Sequence, residues 1–315
     1  MSDDAVLTAP RDTSSPSVTV REGGVRSSAT SRAPYLFISP FFILYALFML
    51  VPIGFGIFLS FTEWAGLGTP VMVGFRNYAE LVRDPSFWTA LGNTGLYMLF
   101  TMLIVLPLSL ALATAMNARG LRLRDAFRAS FFLPVVVSPI VVALVFGLFF
   151  DQQYGLVNSL LRAMFGFPGI DWLTSPGWAK LVVVILVLWR WTGYLTIFFL
   201  AGLQNVPREL YEAAALDGAG VWRSFWSVTL PQLRPIATFI AVTAIVSTAQ
   251  IFEEPFLLTQ GGPGESTISI AQFIYRAGFQ RQEFGYASAA GVVMFLLVFV
   301  VGRAMYTSLG IGKAR

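Results

Sequence analysis

Six stretches of this chain run for about twenty residues or more with almost no charge, and that feature decides most of what it can become. A helix needs ~20 mainly apolar residues to cross ~30 Å of hydrocarbon. Residues 33–62, 85–118 and 129–150 carry no charge, and 181–207 are interrupted only by Arg190. Residues 235–252 and 284–302 are again uncharged. In a bilayer each such segment must satisfy its backbone polar groups internally, which a helix does. The expected fold is therefore an all-α integral membrane protein of six transmembrane helices. Pro52, Pro107 and Pro139 fall within these runs and should bend their helices, which packing against neighbours tolerates. Composition agrees, because 12% of residues are charged where a soluble domain averages roughly 25%.

The basic residues set an orientation. Fourteen of the 21 Lys and Arg fall in segments on one side of the predicted spans, six on the other, and Arg190 within. The positive-inside rule places the richer side, with both termini, in the cytoplasm. Trp64, Trp88, Trp172 and Trp178 then fall near the outer span ends, where an aromatic belt is expected. The basic residues are scattered, so the net charge of +4 gives no nucleic-acid patch. Residues 1–32, rich in Ser, Thr, Asp and Arg with no apolar period, read as a disordered cytoplasmic tail rather than a signal peptide. Residues 33–308 form the membrane domain, and 309–315 a short cytoplasmic tail.

Several chemistries are excluded. The chain has no Cys and no His, which removes Cys/His zinc sites, disulfides and any triad needing an imidazole base. An ion-coupled secondary transporter stays as an alternative, disfavoured because no acidic residue of the kind it would need lies inside the predicted spans. No Gly-x4-Gly-Lys-[Ser/Thr] sequence occurs: residues 261–267 are Gly-rich but lack the lysine, so ATP is not bound by that route.

The connection between the fourth and fifth spans carries the most information. Asn205 can cap a first short helix, Pro207 suits an early helical position, and Gly218 permits the turn that ends it. Pro231 marks where a second helix gives way before span five. Small alanines allow close approach by another surface, and Glu212 and Arg223 are available for ion pairs. The loop reads as a docking element offered to the cytoplasm.

Glu212-Ala213-Ala214, then Gly218, then Val228-Thr-Leu230-Pro231 resembles the signature loop of binding-protein-dependent ABC importer permeases, with Val in place of Ile. The resemblance extends over residues 35–308. It points to the carbohydrate-type branch through Gly74-Phe75-Arg76-Asn77-Tyr78, Asn93-Thr94, Phe132-Leu133-Pro134, Leu200-Ala201-Gly202-Leu203-Gln204 and Leu258-Thr259-Gln260-Gly261-Gly262-Pro263. Where family members often have Phe-Asp, this chain has Phe252-Glu253-Glu254. The resemblance implies the type I (MetI-like) permease architecture in an inner membrane, with Glu212, Ala213, Ala214, Asp217, Gly218, Leu230 and Pro231 engaging an ATPase. It implies as partners a second permease, two ATP-binding subunits that use ATP and Mg, and an extracytoplasmic solute-binding protein. No cofactor is expected on this chain, and a sugar, oligosaccharide or glycerol-phosphate-like solute is the expected cargo. Permeases for other solute classes share the loop, so that alternative stays open.

Candidates for the substrate path are Arg190, Tyr194, Gln250 and Glu253. An intramembrane charge is by default functional, and Arg190 lies about 22 Å above the cytoplasmic end of its helix at 1.5 Å per residue. Tyr194, four residues on, shares its face, so the pair could hydrogen-bond and stack on a sugar; a purely structural hydrogen bond is the competing role. Gln250 and Glu253 fall at the outer end of span five, and Glu254, preceding Pro255, is expected in water.

Overall fold

The computed structural model describes residues 33–118 and 124–308; the tails predicted at 1–32 and 309–315 lie outside them. The chain divides into two units, residues 1–51 and 52–315. The first contributes the helix Ala33–Tyr45 and a π-helical turn, Ala46–Leu50. The second holds the elements that follow.

Among the described residues five helices are long and apolar enough to cross a membrane: Tyr35–Leu59, Pro85–Asn117, Pro176–Gln204, Val221–Thr259 and Phe284–Thr307. A sixth span results if Asp125–Val136 and Pro139–Phe149 are counted together, although they meet at 96°. The third predicted span is therefore broken rather than gently bent. Pro139 opens its second half, and the preceding Ser138 is extended, as a residue before proline prefers.

Three other prolines are absorbed differently. Pro52, Pro107 and Pro231 each follow a five-residue π-helical turn by two positions: Ala46–Leu50, Thr101–Val105 and Phe225–Thr229. A proline removes one N–H and its ring presses on the carbonyl four residues back. That carbonyl lies inside the widened turn in all three cases, so the helix continues. This corrects the expectation at Pro231, where the second loop helix does not give way. It runs from Val221 through the π turn into Leu230–Ala249, and span five begins inside the loop.

Span four is the most buried of the long helices. Its lower half packs Leu195, Phe199, Leu200 and Leu203 against Val105, Ala113 and Met116 of span two and Leu233, Ile240 and Ala244 of span five. Where it meets the first half of the broken span, Gly193 comes so close that a Cβ there would collide with the carbonyl of Phe131. The Ser109 hydroxyl lies 2.7 Å from the Val105 carbonyl and 3.0 Å from that of Thr192, and Thr248 meets Thr101 at 3.3 Å. Such polar contacts between helices substitute for a hydrophobic drive that lipid cannot supply.

At the other end of the spans, Thr62–Glu63 and Val71–Met72 form a two-stranded antiparallel ladder, β1 and β2, followed by the helix Arg76–Arg83. Asn77 donates to the carbonyls of Ser60 and Thr62 and fixes that helix to the end of span one. Trp172, expected at a membrane interface, is instead buried among Phe146, Phe150, Val182 and Leu186, edge-on to Trp178.

Candidate functional site

The loop between spans four and five forms a short helix, Arg208–Leu216, that presents itself to the outside of the chain. Asn205 does not cap its start. It closes span four instead, its side-chain amide donating back to the Ala201 carbonyl at 3.0 Å. Pro207 holds the N-cap position, extended at ψ 135. The far end is fixed tightly: Gly218 N–H donates to Ala215 and Ala219 N–H to Ala214, with Gly218 left-handed at φ +73. That is a Schellman closure, which glycine adopts without penalty.

Glu212, Ala213, Asp217 and Gly218 are exposed, and Ala214, Leu230 and Pro231 are partly so. Among the described residues neither Glu212 nor Arg223 is in an ion pair. No residue of the helix Arg208–Leu216 is buried, and one side-chain hydrogen bond, Tyr211 to Thr229 at 3.0 Å, ties it to the chain. Beside these polar groups stand Leu216 at 91% exposure, Val221 at 88%, Trp222 at 78%, and Trp226. Sequence reasoning passed over these four as binding residues. The available signal was large apolar residues within a loop that the charges place outside the membrane, where burial by lipid is no explanation.

A second cluster lies where span five breaks. Its helix stops at Ala249, Gln250 to Phe252 leave helical geometry, and a short helix resumes at Glu253. Arg190 of span four reaches this break. Its Nη1 donates to Glu253 Oε2 at 2.9 Å and to Glu254 Oε1 at 3.1 Å. The Trp191 indole N–H donates to the same Glu254 oxygen at 3.0 Å, and the guanidinium lies 5.6 Å from the Trp191 ring centre. Glu254, expected in water, has a side chain only 4% exposed, because span four covers it; that of Glu253 is 52% exposed. The two carboxylates follow directly on the predicted span 235–252, within the helical run Val221–Thr259. Both are held by Arg190, which offsets the desolvation of the enclosed Glu254 carboxylate.

Arg190 and Tyr194 do not act as a pair. Tyr194 packs edge-on between Trp191 and Phe198, while Arg190 turns to the glutamates. Gln250 is exposed and lines a cavity of about 490 Å3 with Arg190, Trp191, Ser247, Phe252 and Glu253. Gln250 also borders an apolar groove of about 810 Å3 between spans five and six.

Beyond this cluster the chain turns through residues 260–269, with Gln260, Gly261, Gly264 and Glu265 all at positive φ. Span two fastens the turn. Asn93 donates to the carbonyls of Glu265 and Ile268, the Tyr97 hydroxyl donates to that of Thr267, and Thr94 accepts from Ile270 N–H.

Curated relatives of this chain include sugar permeases. The family model for the "binding-protein-dependent transport system inner membrane component" matches residues 106–310. The arabinooligosaccharides transport system permease protein AraP of Bacillus subtilis is 36% identical, over 85% of this chain and 86% of its own length. The lactose transport system permease protein LacF of Rhizobium radiobacter is 38% identical, over 85% and 90%. Among solved structures, a chain of a bacterial ABC transporter involved in import of the acidic polysaccharide alginate superposes with a TM-score of 0.76 at 24% identity, covering 88% of this chain and 94% of that one.

Proposed function

The chain belongs to the binding-protein-dependent transport system inner membrane components, the ABC importer permeases, and from that premise we propose that it forms one half of a sugar-conducting pore whose energy comes from other subunits. The observation that carries the reading is the exposed Arg208–Leu216 helix, closed at Gly218, with Leu216, Val221 and Trp222 left uncovered among the described residues. Apolar surface of that kind on a short element calls for a protein partner. The partner proposed is an ATP-binding subunit using ATP and Mg, present twice under a pair of permeases. An extracytoplasmic solute-binding protein delivers the solute on the opposite side, and both termini face the cytoplasm.

The mechanism follows from continuity. One helix joins Trp222, in the docking surface, to Ala249, at the edge of the Arg190 cavity, over about 40 Å. Movement of the docked loop is thereby transmitted to the cavity without a flexible joint. ATP binding draws the two ATPase subunits together, carries the Glu212 loops with them, and opens the cavity outward; hydrolysis resets it inward. A sugar as cargo is supported by the named relatives and by a cavity that combines carboxylate, amide, hydroxyl and aromatic groups.

The test is purification from gently solubilised membranes with identification of what accompanies the chain. The expected result is a second six-span permease and an ATPase, both lost when Glu212 and Gly218 are replaced together. A chain that purifies alone, and transports in liposomes without ATP, would overturn the reading in favour of a secondary transporter.

A further inference from the structure

We propose that Glu253 is a charge filter: it accepts hydroxyls of an uncharged sugar and keeps sugars bearing carboxylates out of the cavity beside Arg190. The inference rests on the sugar-importer reading and narrows its cargo to neutral saccharides.

Among the described residues the cavity lining contains three charged ones, Arg190, Glu253 and Glu254. One positive and two negative formal charges leave it with a net charge of −1. The two glutamates are not equivalent. Glu254 is enclosed, and one of its oxygens already serves both Arg190 and Trp191. Glu253 is half-exposed and meets Arg190 through Oε2; among the described residues its Oε1 accepts no hydrogen bond. It therefore stands at the cavity with acceptor capacity to spare, as a sugar hydroxyl requires, and hydrogen bonds to an ionised acceptor are the stronger kind. Arg190 is 9% exposed and its Nε is buried with no hydrogen-bond partner. A buried donor left without a partner is uncommon in a folded chain, and it marks this guanidinium as incompletely satisfied by the two glutamates.

A carboxylate on the ligand meets a different balance. Arg190 would attract it, but two glutamates already share that single cation. The incoming anion must displace Glu253 or lie beside it, at a separation well inside the ~8 Å screening length of physiological salt, where like charges repel. Ser247 and Gln250 add neutral polar contacts, and Phe252 and Trp191 supply apolar ring surface. At about 490 Å3 the cavity lies within the ~300–1,000 Å3 typical of small-molecule sites.

The experiment uses the assembled importer, purified with its ATPase subunits but without the binding protein, so that the permease cavity alone reports. Equilibrium binding is measured for arabinotriose as the neutral probe and trigalacturonate as the carboxylated one. Wild type should hold the first and exclude the second. Glu253→Gln removes the charge while keeping the shape; it should weaken arabinotriose about tenfold and let trigalacturonate bind measurably. Glu253→Asp, which keeps the charge, should still exclude trigalacturonate. Co-purification of the ATPase subunits confirms that each variant is assembled. Unchanged exclusion of trigalacturonate by Glu253→Gln, with arabinotriose bound as in wild type, overturns the filter and leaves the sugar importer standing. Failure of wild type to bind arabinotriose overturns the sugar reading and the filter with it.

Discussion

Two connections in this molecule turn on left-handed glycines, Gly218 in one and Gly261 and Gly264 in the other, yet they are held in opposite ways. The turn at 260–269 is secured from within. Thr267, Ile268 and Ser269 are fully buried, and Asn93, Thr94 and Tyr97 of span two hold its backbone. The loop at 205–220 is set internally by its Schellman closure, but among the described residues Tyr211 makes the one side-chain hydrogen bond from its helix to the rest, and Leu216 lies open beside Val221 and Trp222. A segment whose backbone is held by its own chain is finished at folding. A segment that displays Leu216 and Trp222 to water is finished by association. The difference separates a part of the fold that its own chain holds still from the part proposed above as the docking surface.

If that contrast is right, substitutions in the two loops must fail by different measurements. The largest effect is expected from Gly218→Asp. ATP-driven uptake should fall at least about 100-fold, near 3 kcal/mol of lost coupling, while thermal unfolding of the chain in detergent shifts by about 1 kcal/mol for a non-glycine residue at φ +73. Uptake at the wild-type rate would remove the coupling assignment. Next is Asn93→Leu, which leaves the carbonyls of Glu265 and Ile268 without their donor. It should cost about 2–3 kcal/mol of stability and leave ATPase recovery per folded chain unaltered; a stable variant lacking the ATPase would invert the comparison. Trp222→Ala should weaken ATPase binding by roughly 30-fold, about 2 kcal/mol as for an aromatic anchor, with the unfolding midpoint unmoved, and titration of purified ATPase onto the permease reads it directly. The smallest change is Tyr211→Phe. Losing one hydrogen bond to Thr229 should cost about 1 kcal/mol or less, visible as faster amide exchange in Arg208–Leu216 and nowhere in span two.

The sequence made the coupling loop legible because its determinants are local. Helix, Schellman turn and exposure all arise within residues 207–220, where the spacing from Glu212 to Gly218 can be read directly. Asn205 misled for a local reason too: an asparagine between two helices can serve either, and its amide turned back to Ala201. Pro231 misled because the sequence holds no sign that a π turn will take up the strain.

Arg190 marks the limit more sharply. Its position in a span identified it as important, but its partners are 63 and 64 residues away, and the sequence offered Tyr194, four residues off, as the nearer companion. The sequence by itself determined that the chain enters a membrane, roughly where each span lies, and the local form of the loop at 205–220. Those properties follow from apolar run length, backbone satisfaction and short-range turn geometry. Tertiary structure alone decided that Glu254 is buried, that Glu253 faces a cavity, and that span five carries the docking loop into that cavity on one helix. Which distant carboxylate meets a buried guanidinium depends on how helices pack, and packing is a property of the whole fold rather than of any window of residues.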